Sequence, residues 1–173
     1  RFQTDCRANA GLSACKLIPT LGISSAAEQL AADARESKIK AVVSLDLGLA
    51  RGFTPESLSQ IAIPTLIMAA QADSDELPAK LESGYLAEYI PATVRHDVSV
   101  EGATHFSFMQ LCKPGAGALI AEKDPGDEIV CQDGGTLSRA DIHRRLSRDI
   151  STFLNQALDF QPHAGGNPSG SSR

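Results

Sequence analysis

Apolar and polar residues along this chain fall into two alternating rhythms, short apolar runs and longer stretches of helical spacing. Lys40-Ala41-Val42-Val43-Ser44-Leu45-Asp46 is a brief apolar run closed by a polar residue and then Gly48, which reads as a buried strand. Thr65-Leu66-Ile67-Met68-Ala69-Ala70 is a second run, opened by Pro64 where a missing N–H does least harm. Arg95-His96-Asp97-Val98-Ser99-Val100 alternates, and period two places Val94, His96, Val98 and Val100 on one face. Between the last two strands, Leu77, Leu81, Tyr85 and Tyr89 recur at four-residue spacing and predict a helix lying on the sheet. A final helix is predicted after Ser138, with Asp141 completing a capping box and an apolar stripe of Ile142, Leu146, Ile150, Phe153, Leu154 and Leu158.

Strands alternating with helices imply parallel pairing through right-handed crossovers, hence an α/β fold with an open parallel sheet and flanking helices. Residues 1–37 break the rhythm. They hold Leu17-Ile18-Pro19 and a predicted helix near Ser25 to Arg35, and read as a lid or cap ahead of a core at 38–160. The end of the chain, 161–173, is small, polar and turn-forming and is expected to be a disordered tail. Three parallel strands make a poor free-standing sheet, because a strand as apolar as Val42-Val43 normally has neighbours on both sides. Further strands are therefore expected from elsewhere, and a chain opening on Arg1 with no visible signal peptide is expected to have lost an upstream segment.

Composition narrows the ligand. A formal net charge of -5 with no basic stripe excludes a nucleic-acid surface. The longest apolar stretch, around Ile61 to Ala70, is about half of what a membrane span needs and contains Pro64. A small molecule is the expected ligand. The four cysteines form two sequence-local groups, Cys6 with Cys15 and Cys112 with Cys131. Local pairing is the simplest of the three possible connectivities, and it points to an oxidising compartment, periplasmic or secreted. A zinc site using these cysteines with His105 is disfavoured, since no C-x-x-C spacing occurs and the groups lie far apart.

Functional groups of open α/β sheets gather beyond the carboxyl ends of the strands. Asp73 follows the second strand in Ala70-Gln71-Ala72-Asp73-Ser74-Asp75, and His105 follows the third in Glu101-Gly102-Ala103-Thr104-His105-Phe106. A histidine so placed can take a proton from a serine hydroxyl and return it to a leaving group, while a carboxylate holds its tautomer. Acid before histidine is the chain order of α/β-hydrolases. Ile63 to Asp73 resembles their penultimate strand and acid loop, and Gly102-Ala103-Thr104-His105-Phe106 resembles their histidine loop.

With a lid disulfide ahead of the sixth strand and another after the histidine loop, residues 2–158 are similar to the predicted dienelactone-hydrolase branch of exported esterases. The chain would then be the C-terminal half of such a fold. The resemblance implies Asp73 as triad acid, His105 as general base and hydrolysis of a carboxylic ester through an acyl-enzyme, without cofactor or metal. Asp46 and Asp75 are the competing acids. The Gly-x-Ser-x-Gly elbow is expected before Arg1, leaving this chain inactive alone; a cysteine nucleophile there stays open. Ser24, in Gly22-Ile23-Ser24-Ser25-Ala26, has the right order for a nucleophile but reads better as a helix cap. His96 is expected to pack on its strand face, His143 and His163 to lie on helix surface and tail, and Arg139, Arg144, Arg145 and Arg148 to form a solvated helix face. The rival reading is a non-catalytic hydrolase half that completes its sheet with a partner chain.

Overall fold

A computed structural model describes residues 2–22, 32–72, 74–75, 77–135 and 137–159. The fold is mixed α/β, built on a three-stranded parallel sheet in the order β1 (Val42–Leu45), β2 (Thr65–Ala70), β3 (Arg95–Val100). The register pairs Val42 with Thr65 and Leu45 with Met68, then Thr65 with Arg95 and Ala70 with Val100. All three predicted strands are present, the first shortened to Val42–Leu45.

The central strand β2 is buried almost throughout, and its alternation divides the core. Leu66, Met68 and Ala70 face a cluster with Val100, Ala103, Ile142, Leu146 and Phe153. Ile67 faces the opposite cluster, with Ala50, Leu58, Tyr85, Leu86 and Ile90. Helix α6 (Arg139–Ala157) covers the first face and starts as its sequence dictates, with the Ser138 hydroxyl accepting from the Asp141 amide. Its stripe buries Ile142, Leu146 and Phe153, whereas Leu158, expected in that stripe, lies past the helix end and is largely exposed. The second face is covered by α3 (Pro55–Ser59), capped by Thr54, and α4 (Ser83–Tyr89).

Helix α4 is shorter than the four-residue spacing predicts. Pro78 disfavours helical backbone at Leu77, and the chain turns through Ala79, whose carbonyl accepts from the Gly84 amide at 2.7 Å. Glu82 sits at this turn with non-helical φ and ψ, so its side chain swings inward rather than along a helix face. Strand β3 has the predicted bounds, Arg95–Val100, but Val94 just before it does not share the face of Val98 and Val100 as period two predicts. Val94 packs with the Ile67 cluster, and only Val98 and Val100 join the face covered by α6. His96 is exposed, though its ring meets that of Phe153 edge-on at 5.8 Å.

Both expected disulfides are formed, Cys6–Cys15 and Cys112–Cys131. The first joins α1 (Phe2–Ala8) to α2 (Ser13–Thr20), and an ion pair of Asp5 with Arg51 at 2.7 Å fastens this segment to the loop after β1. The second brackets α5 (Ala116–Lys123) and a 3-10 turn at Asp127–Cys131. Residues 32–35 of the helix expected near Ser25 to Arg35 are not helical, and 23–31, including Ser24, lie outside the described residues. So do 160–173, where the disordered tail is expected. No helix among the described residues is long and apolar enough to cross a membrane.

Candidate active site

Parallel strands end at one edge of the sheet, and the loops that leave β1 and β3 meet there. After β1 the backbone turns left-handed at Asp46, φ 46°, a conformation that aspartate tolerates better than most side chains. The Asp46 amide donates to Met68 O at 2.7 Å, which keeps the residue in the β ladder as the chain departs. Its carboxylate is buried, and both oxygens are used. Oδ1 accepts from the Ala70 amide at 2.9 Å, and Oδ2 lies 2.9 Å from His105 Nδ1. An ionised carboxylate only accepts, so Nδ1 carries the proton and Nε2 is the basic nitrogen.

His105 arrives from the other side of β2. Gly102 takes φ 71° just after β3 and donates to the Gln71 side chain at 3.1 Å, which turns the chain across the sheet edge. His105 then opens a 3-10 turn, His105–Phe108, capped by reciprocal bonds between Thr104 and Ser107. The imidazole is 45 % exposed while the Asp46 side chain is 7 % exposed. One end of the pair is thus fixed in the protein and the other faces outward. Among the described residues Nε2 has no hydrogen-bond partner.

Of the expected site residues, His105 lies in the loop that follows β3, at the strand ends. Asp73 lies outside the described residues, and the carboxylate found on His105 is that of Asp46, one of the two competing acids. Asp75 is exposed and makes no described contact with the histidine. The zinc alternative is removed by chemistry, because all four cysteines are consumed in disulfides. Among the described residues no group of three or more His, Cys, Asp or Glu could hold a metal ion.

Two expectations about the last helix are corrected. Arg139 is buried, not solvated: it pairs with Asp133 at 3.0 Å and donates to the carbonyls of Val130, Gln132 and Gln110. His143 is half-buried, and its Nε2 lies 2.8 Å from Ser107 O. The spacing itself carried the signal for Arg139, since 139, 142 and 146 share one helix face. Arg144 and Arg148 do lie in solvent.

A further buried carboxylate, Glu82, sits beneath the loop after β1. Oε2 accepts from the Ala50 amide at 2.8 Å, while Oε1 has no partner among the described residues. Burial holds its carboxyl above the ordinary 4.5, only partly opposed by the Ala50 bond and the Arg51 charge. The segment after the 3-10 turn borders a depression of about 540 Å³, lined by Met109, Gln110, Leu111, Cys112, Lys113, Ala116, Ile120 and Val130. Family models, curated proteins and solved structures contain no match to this chain.

Proposed function

We propose that this chain provides the general base and its orienting acid to a carboxylic-ester hydrolase of the α/β-hydrolase type, acting on a small-molecule ester through an acyl-enzyme. The observation that carries the proposal is the Asp46–His105 pair. A buried carboxylate holds Nδ1 of a half-exposed imidazole, so that Nε2 is left basic and pointed outward at the strand ends. In this reading Nε2 removes the proton from a hydroxyl or thiol nucleophile as that group attacks the ester carbonyl. The imidazolium that forms is stabilised by Asp46 and then protonates the leaving alkoxide.

The nucleophile and the oxyanion-hole donors belong, in this proposal, to strands that continue the sheet beyond β1. Support comes from β1 itself, an edge strand among the described residues whose Val42 and Leu45 are exposed. Such an apolar parallel strand gains most by acquiring a second neighbour. The two disulfides support export to an oxidising compartment.

The test is turnover of p-nitrophenyl acetate and butyrate by the full-length polypeptide that carries this sequence. His105→Ala and Asp46→Asn are each expected to lower kcat by about 10²–10⁴-fold. Asp73→Asn should have a much smaller effect. A wild-type polypeptide that is folded yet turns over neither ester defeats the hydrolase reading. A large loss in Asp73→Asn with Asp46→Asn near wild type would return the acid role to Asp73.

A further inference from the structure

The loop that carries His105 is held by a continuous set of polar bonds, most of them partly buried, none of which touches the imidazole. The Ser107 hydroxyl, fully buried, accepts from the Thr104 amide at 2.9 Å and donates to Asp133 Oδ1 at 2.6 Å. The Ser107 carbonyl is bonded by His143. Thr104 Oγ1 donates to Gln132 O at 3.2 Å, so both ends of the 3-10 turn are tied to the segment around Cys131. Asp133 is in turn paired with Arg139 Nε.

What holds Arg139 is the surround of the second disulfide. Its guanidinium donates to Val130 O at 2.8 Å and Gln132 O at 3.1 Å, the two residues flanking Cys131, and to Gln110 O at 3.3 Å, two residues before Cys112. A buried guanidinium has five donors and no means of neutralising itself, so its position is dictated by where these acceptors stand. The cystine fixes the two strands of chain that supply the carbonyls.

We propose that Arg139 is a positioning residue for His105, acting through Asp133 and Ser107, and that the Cys112–Cys131 bridge sets the carbonyl cage that places it. A lysine cannot replace it. An ammonium is a point charge with three donors and no planar fork, and cannot meet Asp133 and three carbonyls together. The inference depends on the hydrolase proposal only for its effect on turnover; the placement of His105 can be read without any substrate.

The experiment uses full-length polypeptide labelled with ¹⁵N-histidine, with His105→Ala identifying the resonance. The ¹⁵N shifts of the neutral ring report which nitrogen carries the proton. Wild type should show His105 strongly biased to the Nδ1–H form held by Asp46. Arg139→Lys and the double variant Cys112→Ala/Cys131→Ala should each lose that bias, and combining them should add little. Cys6→Ala/Cys15→Ala should leave it unchanged.

If the polypeptide hydrolyses esters, the same variants should lose about 10²-fold in kcat with KM nearly constant, as expected for a misplaced catalytic group. A folded Arg139→Lys variant that keeps the wild-type tautomer overturns the proposal, whether or not any ester is turned over. Should the cystine-free variant not fold, Asp133→Asn read the same way decides. Asparagine keeps an acceptor for Ser107 but removes the charge facing Arg139, so an unchanged tautomer again overturns the proposal.

Discussion

At the scale of single residues, burial of charge sets the behaviour of this chain. Glu82 is buried with one oxygen unpartnered, and its carboxyl is held above its ordinary value of 4.5. A carboxyl raised on folding binds protons in the native state that the unfolded chain has already released. Stability must therefore fall as pH rises from about that value through the folded titration, then level off. Glu82→Gln should raise the melting temperature at neutral pH and flatten this slope, as scanning calorimetry across the acid range would show; a lower melting temperature at neutral pH would contradict it. Asp46 and Glu82 illustrate what a sequence conveals about such residues. Asp46 is visible as a polar stop to an apolar run, but its left-handed backbone and its reach across β2 depend on contacts 24 and 59 residues away. Glu82 sits within a convincing four-residue repeat, and only Pro78 hints that the repeat is not helical. His105 was legible because its loop follows directly from an alternating strand and contains a glycine where the chain must turn left-handed.

At the scale of elements, local signals and tertiary packing agree best where caps are explicit. Ser138 both accepts from the Asp141 amide and donates to its carboxylate, and that bond together with Arg144 holds the Asp141 carboxyl below its usual range. Ser138→Ala should cost about 1 kcal/mol, seen as a drop in melting temperature of about 2–4 °C. Loss of this cap loosens the turn that starts α6 beside Arg139, so the drop should be larger than that of Ser147→Ala on the exposed side of the same helix. The strands were legible for a similar reason. β2 alternates between two apolar clusters, and either face alone would mark it as strand. The bounds of β3 were legible, but the side that Val94 serves was not, because Val94 is as apolar as Val98 and nothing in its type tells which face of the sheet it joins.

At the scale of the whole molecule, the dominant fact among the described residues is a sheet of three parallel strands with an apolar, exposed member at one edge. Val42 and Leu45 are 39 % and 38 % exposed. An edge of this kind presents unpaired amides and carbonyls beside apolar side chains, and so invites another strand. The 173-residue chain by itself should self-associate, and Val42→Lys should shift it toward monomer in sedimentation velocity runs. A wild-type chain that is monomeric at high concentration would show that the edge is already protected. The chain's α/β class followed from its alternating rhythms, but the extent of the sheet cannot follow from them, since strand neighbours are set by surfaces that no local pattern names.

The Asp46 carboxylate joins three strands at once: it leaves β1, accepts from an amide of β2 and holds a histidine delivered by β3. Its partner lies 59 residues along the chain, with two complete crossovers between them. Contacts of such separation form late, after the loop entropy of the intervening units has been met by their own packing. The oriented imidazole therefore exists only once β1, β2 and β3 are assembled, and a chain in which they are not carries a histidine with no fixed orientation. Fraying of β1 would undo it by the same route, so that the integrity of the sheet and the orientation of His105 rise and fall together.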